Sequence, residues 1–225
     1  MDTLNCDELT TRQVNERLRS LPDGSKVFVS QPRGKHSLAV GLTNKIDIVI
    51  DGNAGYYIGG LGDGPDITVL GFVGWGVGEN LMSGTVRVKG NASESAGATA
   101  HGGLIVVEGD CSLRAGISLK GGTLAVGGDV GAMSAFMAQA GTILVGGDAG
   151  DALGDSLYEA VIYVSGQIRS LGSDAQIEEL TESDVMRVKD LAALARFDHI
   201  EPENVKKVAS ARQLYNFDAV KAARY

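Results

Sequence analysis

The sequence predicts an all-β protein, a right-handed parallel β-helix of about seven 19-residue coils with short N- and C-terminal helical flanks. Three observations support this fold class: a nineteen-residue repeat of branched apolar residues, a column made entirely of glycine, and an unusual composition. Glycine supplies 32 of the 225 residues, whereas aromatic residues make up only 5%. A fixed period near twenty residues is typical of stacked units, none of which can bury its apolar face alone.

Each repeat begins with a short strand. An apolar residue at every second position predicts a strand with one buried face, and parallel strands of this kind stack about 4.8 Å apart. A leucine-rich repeat would need a Leu-x-x-Leu-x-Leu frame, and a helical repeat a period of over about thirty residues. The first strand column contains Ile48, Ile67, Val86, Ile105, Leu124, Ile143 and Ile162, and the second contains Ile50, Val69, Val88, Val107, Val126, Val145 and Val164.

Two glycine columns follow the strand. A coil must turn within a few residues, and a corner with positive φ or a close backbone approach excludes a side chain. We therefore interpret these glycines as structural corners. The first column contains Gly52, Gly71, Gly90, Gly109, Gly128, Gly147 and Gly166, and the second contains Gly59, Gly78, Gly97, Gly116, Ala135 and Gly154.

Further apolar columns define the expected interior of the coil. Their members are small on average, so we expect a narrow core that still offsets the ordering entropy of the coils. One column contains Ala54, Val73, Ala92, Cys111, Val130, Ala149 and Ile168, and another contains Ile58, Val77, Ala96, Ala115, Ser134 and Leu153.

The flanks are expected to cover the open strand edges at both ends of the stack. Residues 8–21 have apolar residues at helical spacing, with Thr10 or Thr11 as the N-cap. Residues 181–196 begin with a capping box, Thr181-x-x-Asp184, and place Val185, Val188, Leu191 and Leu194 on one face.

The chain is predicted to divide into three parts. Residues 1–37 form an N-terminal helical cap and lead-in, residues 38–173 form the β-helix, and residues 174–225 form a C-terminal helical tail. The last stretch, residues 209–225, mixes aromatic and basic residues without a clear period, so a partner-binding tail is an equal interpretation.

Composition excludes several classes of function. A net charge of −8 and an isoelectric point near 4.9 argue against a nucleic-acid partner, which needs clustered Lys and Arg. No apolar stretch reaches the roughly 18 residues that span a bilayer, and no leader pattern is present, so we expect a cytoplasmic protein without membrane partners. Two cysteines, Cys6 and Cys111, are too few for a disulfide framework and are expected to be free thiols.

Each candidate for chemistry has a structural explanation that we favour. Cys111 falls in an interior column, which indicates an inert buried thiol rather than a nucleophile. The three histidines, His36, His101 and His199, lie far apart and lack ligand spacing. Asp110, Asp129 and Asp148 align beside the glycine corner; we favour a solvated turn column over a calcium ladder.

Two further patterns are interpreted in the same way. The stretch Gly74-x-Gly76-x-Gly78 lacks the helix and acidic partner of a dinucleotide site, so we interpret it as a corner. Arg87, Lys89, Glu108, Arg114 and Lys120 are scattered and are expected to form ordinary solvated surface rather than a polysaccharide site. The sequence therefore predicts no catalytic, cofactor-binding or metal-binding residue on this chain.

Bulky apolar residues interrupt otherwise polar or small columns. An apolar patch on a charged surface marks a protein interface more often than a ligand pocket, although packing beneath the terminal covers is the alternative. The predicted partner interface contains Tyr56, Tyr57, Trp75, Met133, Phe136 and Met137.

The glycine rows resemble the GXGXG domain family, which includes the C-terminal β-helix of the glutamate synthase large subunit and relatives that occur as separate proteins. The motif G-x-x-G-x-x-x-G begins at Gly52, Gly71 and Gly147, and the similarity covers about residues 38–172. The stretches DGNAGYYIGGLGDGP (51–65) and MSAFMAQAG (133–141) look closer to stand-alone subunits of glutamate-synthase-like complexes, of which N-methylglutamate synthase is the preferred match.

This resemblance implies a division of labour. A class II glutamine-amidotransferase-like subunit and an FMN-binding synthase subunit, usually with an iron-sulfur cluster, would hold the chemistry, and this chain would be their non-catalytic scaffold without a cofactor of its own. The whole assembly would convert methylamine and L-glutamate to N-methyl-L-glutamate and ammonia. Alternatives are the β-helix subunit of a formylmethanofuran dehydrogenase and a self-sufficient carbohydrate-active β-helix.

Overall fold

The computed structural model describes residues 2–213, and short strands dominate its elements. The predicted all-β class, a parallel β-solenoid of about seven turns with few helices, is confirmed. In chain order the elements are β1 (Asp2–Asn5), α1 (Thr11–Ser20), β2 (Lys26–Ser30), β3 (Asp47–Asp51), β4 (Asp63–Val69), β5 (Ser83–Val88), β6 (Leu104–Val107), β7 (Lys120–Val126), β8 (Ala140–Val145), β9 (Val161–Val164), β10 (Ala175–Glu178), α2 (Glu182–Ala195), a 3-10 turn (Pro202–Asn204) and β11 (Lys206–Ser210).

Strands β1 to β9 pair in parallel in their order along the chain. From β3 to β9 the register of the pairs equals the sequence repeat, because Ile48 opposes Ile67 and Ile67 opposes Val86. Both strand columns are buried throughout. The ladder also extends before residue 38, since Val27 in β2 opposes Ile48 in β3. The division into three domains remains a prediction.

A second, thinner ladder runs along the opposite wall of the coil. Isolated parallel bridges join Val73 to Ala92 and continue coil by coil to Ile168. The interior columns expected from the sequence line this core, and only Ile168 is partly exposed. Alanine supplies many of the interior positions, so the two walls approach closely and the core is narrow.

The all-glycine column makes room for side chains of the preceding coil. A Cβ atom on Gly128 would lie 2.0 Å from Oδ1 of Asp110, and one on Gly147 would lie 2.2 Å from Oδ1 of Asp129. Each of these oxygens accepts the backbone N–H of the residue after the glycine, at 2.9 Å for Asp129 and 2.7 Å for Asp148. We call the side chains that do this the Asx ladder; its members are Asn53, Asn91, Asp110, Asp129 and Asp148.

The second glycine column has a different cause. Gly59, Gly78, Gly97, Gly116 and Gly154 all have φ between +65° and +69°, in the left-handed region. At this corner the backbone conformation favours glycine. In the first column, apart from Gly52, glycine is favoured because atoms of the preceding coil approach the position of its missing Cβ closely. Ala135, which replaces glycine in the fifth coil, adopts the same φ of 60°.

Helix α1 covers the N-terminal end of the core. Its N-cap is Thr10, as predicted, and a full capping box links Thr10 with Gln13. Val14 and Leu18 are fully buried in the main core. The side-chain amide of Asn15 donates to the carbonyl of Ser37 and accepts from the N–H of Ala39, both at 2.7 Å, which fixes the helix to the segment between β2 and β3.

Helix α2 lies on the outward face of the sheet, so the expectation that it covers an open end is wrong. Apolar residues at alternate outward positions of β6 to β9 create a second core that needs a cover. The buried stripe of α2 runs through Val188, Ala192 and Ala195, whereas Leu194, expected on the apolar face, is 56% exposed. The outward strand residues beneath the helix are Val106, Ala125, Leu144 and Tyr163.

The C-terminal end of the stack is closed by strands that the sequence did not predict. Strand β11 pairs antiparallel with β9, placing Val208 opposite Ile162, and β10 pairs antiparallel with β11. The last parallel strand is therefore covered by a reversed one. Residues 214–225, most of the suggested partner-binding tail, lie outside the described residues.

A buried polar cluster attaches α2 to β9 and β11. The hydroxyl of Tyr163, fully buried, donates to Oδ1 of Asp184 at 2.6 Å. Oδ2 of Asp184 accepts the N–H of Thr181 at 2.9 Å and lies 3.2 Å from Nζ of Lys207. Burial favours the neutral acid, but the hydrogen bonds from Tyr163, Thr181 and Lys207 outweigh it and hold the pKa of Asp184 well below its usual range.

This cluster should make acid stability depend on Asp184. The pKa of Asp184 is lower in the folded state than in the unfolded state. Its contribution to the free energy of unfolding is therefore present above the unfolded pKa of about 4 and is lost as the pH falls toward the folded pKa. We expect Asp184→Asn to lower the melting temperature at pH 7. Between pH 5 and roughly pH 2.5 the melting temperature of this variant should fall less than that of the wild type. Glu178→Gln, at a more exposed partner of Lys207, is the control. Parallel melting curves against pH for wild type and Asp184→Asn would contradict the assignment.

The Asx ladder should depend on its oxygen rather than on its charge. Asp129→Ala removes the acceptor for the N–H of Asp148 and should cost about 1 kcal/mol in urea unfolding. Asp129→Asn keeps an oxygen at the same place, as Asn91 does naturally, and should cost less than half as much. Equal losses for the two variants would show that the bond contributes nothing.

Candidate functional site

The six residues predicted as a partner interface all follow the second ladder in their coils. Trp75 is 62% exposed, Tyr56 45% and Met137 36%, whereas Tyr57, Met133 and Phe136 are partly buried. The structure separates them into two groups, one in the first two coils and one in the fifth. Three strand spacings, roughly 14 Å, lie between the groups.

The first group contains a rigid stack of rings. The His36 ring lies on Tyr56 with 3.6 Å between ring centroids, and Tyr56 is 5.9 Å from Trp75. Nδ1 of His36 accepts the backbone N–H of Tyr56 at 3.2 Å. A Cβ atom on Gly55 would lie 1.9 Å from the same nitrogen, so glycine at this position allows the ring to approach. The aromatic surface is therefore held in one arrangement by its own contacts.

Leu113 lies between the two groups, separated from Trp75 by Glu94 in the same column, and sequence reasoning missed it. It stands two coils above Trp75 in the same column and is 44% exposed. The column is continuous because the N–H of Gly76 donates to the carbonyl of Glu94, and the N–H of Ser95 to that of Leu113. Charged neighbours in the sequence hid this leucine. The complete surface, which we call the apolar strip, contains Tyr56, Tyr57, Trp75, Leu113, Met133, Phe136 and Met137.

A second exposed apolar feature lies at the first corner and was also missed. Phe72 is 54% exposed and Leu70 45%. Phe72 contributes to two grooves, one of about 530 Å³ and one of about 430 Å³. The available signal was the column itself, because Phe72 stands where neighbouring coils have Asn or Asp.

Both cysteines are buried. Cys111 lies in the narrow core, and burial, reinforced by the charge of Asp110, strongly raises its thiol pKa. Burial also raises the pKa of Cys6, against a smaller opposing effect of Lys35. A thiol with a raised pKa is a poor nucleophile and a poor metal ligand, so both side chains act as small apolar groups.

The histidines are dispersed, as expected. His36 belongs to the aromatic stack, His101 is exposed, and Nε2 of His199 lies 2.9 Å from the carbonyl oxygen of Gly127. Within residues 2–213, no three His, Cys, Asp or Glu side chains are grouped as a metal site requires. We expected the Asp column to be a solvated turn column. The structure differs, because one oxygen of each side chain is hydrogen-bonded to the next coil.

The charged residues expected to form ordinary surface include one exception. The Arg87 side chain is only 11% exposed, and its guanidinium donates to the carbonyl oxygens of Ala195 at 2.8 Å and Leu194 at 3.1 Å. It thereby caps the C-terminus of α2, where a positive charge is favourable. Glu108 lies between Arg87 and Lys89 and pairs with both.

The glycines at 74, 76 and 78 form a corner, as interpreted. Gly76 and Gly78 have φ of 63° and 65°, and a Cβ atom on Gly74 would lie 2.8 Å from the backbone nitrogen of Tyr56. Neither helix in the described part of the chain has the length and hydropathy needed to cross a bilayer.

Comparison with known proteins identifies a full-length relative. Protein GlxC of Rhizobium meliloti (strain 1021) is 46% identical over 228 residues, and the match covers 100% of both chains. The chain belongs to the GlxC family. No family model matches the sequence.

Membership of the GlxC family supports the coarser part of the sequence resemblance, a glutamate-synthase-like protein. The match includes the flanks as well as the coils, so the helices and the closing strands lie within the conserved length of the GlxC relative. This relative does not by itself show the finer assignment, N-methylglutamate synthase.

The buried thiols of this GlxC-family chain should be unreactive. We expect native protein to react with a thiol reagent at least about 100-fold more slowly than unfolded protein, because labelling requires local opening. Ser112→Cys, which places a thiol at the exposed position beside Cys111, should react at once and serves as the control. Rapid labelling of both native cysteines would contradict their placement.

Proposed function

We propose that this chain is the non-catalytic β-helix subunit of an FMN-dependent glutamate-synthase-type complex, and that the complex is an N-methylglutamate synthase. The full-length relationship to Protein GlxC supports the glutamate-synthase-like class. The observation that carries the scaffold role is the apolar strip, an exposed and pre-ordered aromatic surface on a chain of net charge −8.

The proposed reaction belongs to the assembly rather than to this chain. Methylamine replaces the amino group of L-glutamate, giving N-methyl-L-glutamate and ammonia. An FMN-binding synthase subunit with an iron-sulfur cluster and a class II glutamine-amidotransferase-like subunit would carry out the chemistry. This chain would hold those two subunits in a fixed relation, in the cytoplasm, without a cofactor of its own.

The physical properties of the apolar strip suit a permanent partner. Aromatic residues and methionine are enriched at protein interfaces, and large apolar patches are rarely left open on a soluble monomer. The ring stack of His36, Tyr56 and Trp75 is already ordered, so binding would lose little side-chain entropy there. A stacked backbone beneath it keeps the surface rigid, as a scaffold requires.

Co-purification tests the proposal directly. The tagged full-length chain, isolated from its native host, should retain an FMN-binding polypeptide and an amidotransferase-like polypeptide, and the complex should form N-methylglutamate. The chain expressed alone should show no flavin absorbance and no turnover. Molybdenum or tungsten subunits in the complex would favour the formylmethanofuran dehydrogenase alternative, and glycan binding or lyase activity of the lone chain would favour the carbohydrate-active one.

The apolar strip predicts where partner binding is lost. Trp75→Glu places a charge on its most exposed ring and should weaken retention of a partner subunit at least about tenfold, because an unpaired charge would be desolvated. Met186→Glu is the matched control, since Met186 is equally exposed, at 66%, but lies on α2. Both variants should melt within about 2 °C of wild type. Equal retention of partners by the two variants would overturn the role of the strip.

A further inference from the structure

The Asx ladder is interrupted at one coil. All five ladder members stand in one column, and each accepts a backbone N–H from the coil above at 2.6–3.1 Å. In the second coil Phe72 occupies this column and has no side-chain oxygen to offer. The donor it would have satisfied is the backbone N–H of Asn91.

The interruption leaves a donor without an acceptor. Among the described residues, the N–H of Asn91 has no hydrogen-bond partner, whereas those of Asp110, Asp129 and Asp148 each have one. The N–H of Asn53 also lacks a hydrogen-bond partner, because Gly34, which has no side chain, stands before it in the column. Two free donors therefore flank Phe72, one on each side.

The residue that carries each free donor lines a groove. The larger groove, about 530 Å³, is lined by Leu70, Phe72 and residues 89–93, and so includes Asn91. The smaller groove, about 430 Å³, lies on the other side of Phe72 and includes Asn53. Lys89 is the one charged residue that lines the larger groove, whereas the smaller contains both Arg33 and Asp51. The larger groove therefore combines apolar walls with a free N–H, and the Nζ of Lys89 is already paired with Oε1 of Glu108 at 2.6 Å.

We propose that the larger groove binds a loop of a partner subunit that inserts an asparagine or aspartate side chain and completes the Asx ladder at Asn91. The ladder itself defines the fitting chemistry, because a carboxylate or amide oxygen satisfies the equivalent N–H in five other coils. Asparagine and aspartate both fit, because the charge of Lys89 is already balanced by Glu108 at 2.6 Å.

The exposed apolar walls indicate that the inserted side chain belongs to a polypeptide. Phe72 and Leu70, 54% and 45% exposed, offer apolar area in the coil before Asn91 that a lone carboxylate would leave open. The second groove continues the surface beyond Phe72, as an extended segment would need. This inference rests on the proposed function, since it takes the occupant from the same complex.

The substitution Phe72→Asn tests the free donor without any partner. It supplies the missing ladder oxygen, so the isolated chain should melt about 2–4 °C higher than wild type. Hydrogen exchange at the Asn91 amide should slow at least about tenfold, to the level of the Asp110 amide. Phe72→Leu keeps an apolar side chain and the free donor, and should change neither quantity. An Asn91 amide that exchanges equally in Phe72→Asn and wild type would overturn the inference.

The complex provides the second half of the test. In the wild-type complex the Asn91 amide should become protected, and Phe72→Asn should weaken partner binding at least about tenfold because the ladder is already complete. Phe72→Leu should bind within about threefold of wild type. A complex that forms with Asn91 unprotected and Phe72→Asn binding normally would overturn this inference alone. Failure of wild type to bind any synthase-type subunit would overturn the proposed function as well.

Discussion

Constant coil length is the constraint on which this structure depends. Each parallel strand can pair with the next only if the intervening chain returns to the same register, and the residue pairs Ile48–Ile67 and Ile67–Val86 show that it does so every nineteen residues. Every other regularity follows from this. Corners recur at the same places, so a side chain that suits one corner meets its equivalent directly above and below.

The corners illustrate how a repeat converts small residues into hydrogen bonds. In the first glycine column, the missing Cβ atom lets an Asn or Asp from the coil below reach the backbone, as Asp110 does beside Gly128. In the second column, glycine instead allows a positive φ. Glycine abundance is therefore a product of packing in one column and of backbone geometry in the other, and neither column needs a reactive side chain.

Exposed apolar surfaces arise where the repeat is locally broken. A position that stacking does not use is free to vary, so Trp75 and Leu113 can stand in a column that elsewhere contains Glu94. Phe72 goes further, because it removes a member of the Asx ladder and exposes a donor that the frame holds rigidly. Such a frame is consistent with the scaffold role proposed above, since its exposed groups are already ordered.

Sequence alone determined the β-helix, its register, its buried columns and the capped starts of both helices, because each rests on contacts between residues at a fixed spacing or within one turn. Only the tertiary structure decided that α2 covers the outward sheet face, that β11 closes the stack, and that Arg87 is a buried cap. The bonds from Arg87 to Ala195 and Leu194 span 108 and 107 residues, and no periodic signal encodes such a contact. The Asx ladder falls between these cases: its column is visible in the sequence, but its role depends on how closely successive coils approach.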